Sequence, residues 1–120
     1  MNSEELKNRT KKLAGEVIHF VESLPKCMTS DIIGKQAIRS ITSVAANYRS
    51  ACRARSRADF INKLGIVEEA DETLFWIEML IESGKVKEES ITALQKEIRE
   101  IVAIFSVSHK TANASRSIKL

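Results

Sequence analysis

Apolar residues recur along this chain at steps of three and four, the spacing of one helix face, in four separate runs. The first spans about Ser3 to Leu24, with Leu6, Leu13, Val17, Phe20, Val21 and Leu24 in phase, and Pro25 blocks its continuation. The second begins near Ser30, places Ile33, Ala37, Ile41, Val44 and Tyr48 on one side, and ends near Cys52. In the third, Ser56 is the expected cap with Asp59 three residues on, the core face is Phe60, Leu64, Val67, Leu74, Ile77 and Ile81, and Ser83-Gly84 supplies a left-handed stop. The fourth opens with Glu88 and Glu89, acids suited to a helix N-terminus, and repeats Ile91, Leu94, Ile98, Ile101, Phe105, Ser108 and Ala112.

Short connections make successive helices antiparallel, so the pattern predicts an all-α, up-down-up-down antiparallel four-helix bundle. One domain is expected over residues 1–115, with 116–120 as a flexible basic tail that begins to fray near Asn113. One Pro, four Gly and 43% hydrophobic residues in 120 suit such a bundle, which needs no staple at this length. No run approaches the roughly 18 apolar residues of a membrane span, and Met1-Asn2-Ser3-Glu4-Glu5 lacks the basic start of a signal peptide. A cytoplasmic location follows as the expectation. Cys27 and Cys52 flank one helix, roughly 35 Å apart at 1.5 Å per residue. A bridge between them is excluded in that arrangement, since disulfides need Cα atoms about 5.5 Å apart.

The net charge of +3 conceals a segregation. From Lys35 to Lys63 there are seven basic residues against one acid, whereas Leu64 to Glu100 holds ten acids against four bases. Such asymmetry points to a polyanionic partner or to charge-matched self-association.

Several motifs match a known family in order and spacing: Gln36-Ala37-Ile38-Arg39-Ser40, Ser43 to Arg49, Arg53-Ala54-Arg55-Ser56, Asp59-Phe60-Ile61-x-Lys63-Leu64 and Glu68 to Glu78. Together they make the chain resemble, over nearly its whole length, the bacterial four-helix-bundle family of 23S ribosomal RNA intervening-sequence proteins. The resemblance implies a four-helix bundle assembled into a homopentamer, without an assigned biochemical activity. A related accessory protein of diversity-generating retroelements has the same fold and a basic surface, and works with a reverse transcriptase and nucleic acid. Many family members have Glu-Gly where this chain has Ser50-Ala51, so no role of that acid transfers.

Three surfaces follow from helical spacing. Lys35, Arg39, Thr42, Ala46, Arg49 and Arg53 form one stripe of the second helix, extended at the turn by Arg55 and Arg57; these six cations are the candidate nucleic-acid contacts, because guanidinium groups bind phosphate oxygens bidentately. The alternative is a solvated face whose arginines pair with acids on a neighbouring helix or subunit. Beside it lie Gln36, Ser40, Ser43, Asn47 and Ser50, expected to bond across the bundle, and Lys63 and Asp71 are expected near the core in a paired network, with Arg39 as a further partner. Ile61, Phe75, Trp76 and Met79 fall away from the third helix's core face and are the expected self-association surface.

Enzymatic chemistry finds little support. Glu16-Val17-Ile18-His19 is an ExxH, but di-iron bundles use that element twice, and position 106, three residues before His109, is a serine. Neither cysteine has histidine or zinc-ligand company. The expectation is a non-enzymatic, homo-oligomeric protein associated with RNA or other nucleic acid through its basic surface, with no cofactor, no metal and no membrane role. The alternative is a protein–protein scaffold with no nucleic-acid role.

Overall fold

In the computed structural model, which describes residues 1–53, 61 and 65–119 with side chains described up to Val107, helix α1 runs Ser3–Glu22. Asn2 caps it: its side-chain oxygen accepts the Glu5 N–H at 2.8 Å, and its amide donates to the Glu5 carboxylate at 3.2 Å. The helix ends three residues before Pro25. Helix α2 spans Met28–Ala51, beginning close to the expected Ser30, and its cap is Cys27, the thiol sulfur accepting from the Ser30 N–H at 3.5 Å.

Helix α3 covers Ile66–Glu82, so the expected run from Ser56 is interrupted. Gly65 adopts φ +63°, the left-handed region that glycine enters without steric penalty, and a new helix starts after it. The caps proposed at Ser56 and Asp59 lie outside the described residues. A 3-10 turn over Glu88–Ile91 leads into α4, Thr92–Lys119, so Glu88 and Glu89 precede the α-helix proper. The α4 backbone is helical through Lys119, so the boundary expected at residue 115 marks no break in it.

Each helix packs on its sequence neighbours and α4 returns against α1, closing an all-α four-helix bundle. Side-chain bonds cross the seams: Arg9 of α1 reaches Glu97 of α4, and Arg39 and Ser40 of α2 reach Glu72 and Thr73 of α3. The core takes Leu6, Leu13 and Val17 from α1, Ala37, Ile41, Val44 and Tyr48 from α2, and Ile98, Ile101 and Phe105 from α4. Tyr48 and Phe105 meet at a 5.3 Å ring separation, tilted by 58°.

The inward face of α3 differs from the expected one. Ile66, Ala70, Thr73, Ile77 and Leu80 are buried, whereas Val67, Leu74 and Ile81 are only half-buried flanks. Two of the five core positions are small or hydroxylated, so a search for large apolar residues selects the neighbouring stripe. Phe60 and Leu64 lie outside the described residues.

Candidate nucleic-acid interface

Ten residues of helix at about 100° each bring a side chain round to about 80° short of its starting direction. The basic stripe of α2 therefore drifts, and its cations divide between two seams of the bundle. Arg39 turns to the α2–α3 seam, where its guanidinium bonds Glu72 at 2.7 Å and Glu69 at 3.3 Å, with Gln36 accepting its Nε–H at 2.9 Å. The Arg39 bond holds the Glu72 carboxyl below its ordinary range, whereas burial pushes Glu69 up. Arg39 is thus engaged by acids of its own chain, as the alternative reading of the stripe allows.

Arg49, ten positions on, faces the other seam. With Thr42, Ala45 and Ala46 of α2 and Lys7, Lys11, Ala14, Gly15 and Ile18 of α1 it lines a groove of about 380 Å³. A second hollow of about 270 Å³ shares Lys7, Lys11 and Arg49 and adds Glu4, Asn8 and Arg53. Among the described residues three cations of α1 and α2, with Arg53 just beyond the end of α2, thereby converge against one carboxylate, Glu4, which pairs with Lys7 at 2.9 Å. The floor between them is small and apolar, and Thr42 turns its hydroxyl to the Ile38 carbonyl of its own helix at 2.7 Å. Lys35 is exposed elsewhere on α2, beside a separate hollow with Glu22, Lys26 and Asp31. Arg55 and Arg57 lie outside the described residues.

Lys7 and Lys11 were not legible as site residues. Their spacing of four marks a shared face of α1, but only the pairing of α1 with α2 sets that face beside Arg49.

The polar residues of α2 bond locally and across the bundle. Ser40 shares a 2.7 Å hydroxyl bond with Thr73 of α3 in the core, and Asn47 donates to Ser43 at 3.1 Å. Asp71 departs from the expected placement: it is exposed, and among the described residues it enters no ion pair. The restart of α3 at Ile66 sets position 71 outside the inward stripe. Lys63, its proposed companion, is outside the described residues.

On the proposed association surface, Phe75 is 49% exposed and stacks edge-on against the half-buried Trp76 at 5.1 Å. Met79 is half-buried. The buried Trp76 indole nitrogen makes no hydrogen bond of good geometry, although its N–H lies near enough to Glu72 to favour that carboxylate's charge. Ile61 is a correction: it is 5% exposed and belongs to the core. Gly65 breaks the helical phase between 61 and 75, so the outward side cannot be counted back from Phe75.

The sequence profile of the 23S rRNA-intervening sequence protein matches residues 3–107. The chain belongs to that family. A crystal structure of a protein of unknown function from the S23 ribosomal protein family of Bacteroides thetaiotaomicron VPI-5482 superposes with a TM-score of 0.78 at 33% identity, covering 92% of this chain and 99% of that one. No curated protein matches the chain.

Within this family member the remaining motifs stand apart from the groove. Glu16 and His19 are both exposed, and no group of three or more potential metal ligands occurs among the described residues. Cys27 and Cys52 are free thiols; bonds from Ser30 draw the Cys27 thiol below its usual range. No described helix is long and apolar enough to cross a membrane.

Proposed function

We propose that the chain is a non-enzymatic nucleic-acid-associated bundle that holds a phosphate backbone along the seam between α1 and α2. The observation behind this reading is the convergence of Lys7 and Lys11 of α1 with Arg49 of α2 on one groove, with Arg53, just past α2, at the adjoining hollow. Lys7 and Lys11 are spaced by four residues of α1, a rise of about 6 Å, so both face one phosphate chain laid along the seam. Among the described residues no aromatic lines the groove, so base stacking is weak and sequence preference low. RNA is the expected nucleic acid, in keeping with the family's name. A cytoplasmic site of action is part of the same proposal, as is self-association through the face of Phe75, Trp76 and Met79. The pentamer is the assembly that the family resemblance implies.

Titration of labelled single-stranded RNA at several salt concentrations tests the reading. Four phosphate contacts give a slope of log affinity on log salt near −3, from about −0.7 per contact. Arg49→Glu with Arg53→Glu should abolish binding while helicity is kept. Equal binding by both proteins, or none by the wild type at low salt, removes the proposal. The apolar floor of the groove favours a second reading, a protein-interaction scaffold, because small aliphatic side chains offer nothing to phosphate but suit the apolar face of a helix.

A further inference from the structure

Helix α3 presents Glu68, Asp71, Phe75, Glu78 and Glu82 outward at steps of three, four, three and four, and all five are exposed. Among the described residues none of these four carboxylates enters an ion pair. The stripe is therefore an aromatic ring flanked by exposed acids. The α1–α2 groove is its complement in three respects. It is rimmed by the cations Lys7, Lys11 and Arg49, its floor is apolar, and Ala14, Gly15, Ala45 and Ala46 leave room for a helix to approach closely. Helix α3 and helix α1 each pack on α2 and α4, which places them diagonally in the bundle. The stripe of one molecule thus cannot reach its own groove.

We propose that the groove between α1 and α2 receives the acidic, Phe75-bearing face of α3 from a second copy of this chain, so that nucleic acid and self-association compete for Lys7, Lys11 and Arg49. The competition rests on the reading of the groove given above, whereas the docking does not. Two different surfaces meet, so the contact is head-to-tail and each added copy leaves one groove and one stripe unfilled until a ring closes. Phe75 is the anchor in the Ala14, Gly15 and Ala45 floor, and the charges around it set register.

A mixing experiment separates the two surfaces. One variant reverses the groove, Lys11→Glu with Arg49→Glu; the other alters the stripe without reversing it, Phe75→Ala with Glu78→Gln. Light scattering coupled to gel filtration at low salt, with circular dichroism to confirm folding, should find wild type assembled and each variant monomeric, its association weakened more than about tenfold. Mixed together, the variants should form a one-to-one dimer that grows no further, because one intact groove meets one intact stripe. A monomeric wild type, assembly retained by either folded variant, or a mixture that stays monomeric overturns the docking. RNA added to wild type should dissolve the assembly, and the stripe variant should bind RNA at least as tightly as wild type. Assembly unchanged with RNA bound overturns the competition, while absence of RNA binding by every form overturns the nucleic-acid reading and leaves the docking to the mixing result.

Discussion

The hydroxyls of Ser40 and Thr73 meet 2.7 Å apart in the buried seam between α2 and α3, and each lies within reach of a carbonyl of its own helix, Ala37 and Glu69 respectively; with one proton apiece, one hydroxyl donates to the other, which donates to its own carbonyl. Both polar groups are thereby satisfied without water. Thr73→Val preserves shape and removes one hydroxyl, leaving Ser40 its backbone bond, so a loss of about 1 kcal/mol is expected. Ser40→Ala with Thr73→Val should cost less than the sum of the single changes. Denaturant unfolding of all four proteins reads the coupling, and strict additivity would show that the pair is independent.

Close approach of α1 and α2 gives a second prediction. A Cβ placed on Gly34 would lie 2.5 Å from Cγ1 of Val21, too near for any relaxed contact. Gly34→Ala should therefore destabilise the fold by about 1–3 kcal/mol despite alanine's better helix propensity. Adding Val21→Ala should restore part of the loss. A Gly34→Ala variant as stable as wild type in urea would show that the seam yields freely.

Acid sensitivity follows from two arginine clamps. Arg9 joins α1 to α4 by bonds to Glu97 at 2.6 and 2.7 Å and by a further contact with Glu100. The bond from Arg9 depresses the Glu97 carboxyl in the folded chain, and that from Arg39 depresses Glu72. A depressed carboxyl contributes stability that is present above its unfolded value, about 4.3, and is lost as pH falls through the folded one. Glu69, raised mainly by burial, acts in the opposite sense and offsets part of the Glu72 contribution. Thermal melts should show stability declining below about pH 4.3, with a shallower decline in Arg9→Met. Parallel curves for the two proteins would count against the clamp.

The division of the α2 cations yields a contrast within one stripe. Arg39 is tied to Glu69 and Glu72, whereas Arg49 opens onto the groove. Arg39→Gln should leave RNA affinity within about twofold of wild type, and Arg49→Gln should weaken it several-fold and reduce the salt slope by about 0.7. Equal losses from both, measured at one salt concentration, would restore the undivided stripe as the contact surface.

Asp71 supplies a check on the register of α3. Since it lies exposed on the outward stripe, Asp71→Ala should change stability of the dilute, unassembled chain by less than about 0.5 kcal/mol, as surface substitutions usually do. A loss near 3 kcal/mol in chemical denaturation would instead place it in a buried, paired setting.

The helices and most of their inward faces were legible in the residue pattern because 3.6-residue periodicity is a local property: Leu13, Val17, Ile41, Val44, Ile98 and Ile101 are all buried where their spacing puts them. Family membership was legible for a related reason, since its motifs are short contiguous runs, among them Gln36 to Ser40 and Ser43 to Arg49 in α2 and Glu68 to Glu78 in α3. The face of α3 was not, because the phase restarts at Gly65 and because Ala70 and Thr73 owe their burial to a facing helix and not to their own hydrophobicity. The groove was only half legible. Arg49 on α2 and Arg53 just beyond it stand out, but Lys7 and Lys11 join them through the packing of one helix on another, and the loss of Arg39 to Glu69 and Glu72 is decided in the same way. Periodicity tells which side of a helix turns inward; which charges then meet across a seam depends on the pairing and axial offset of helices, and those are set only when the whole core packs.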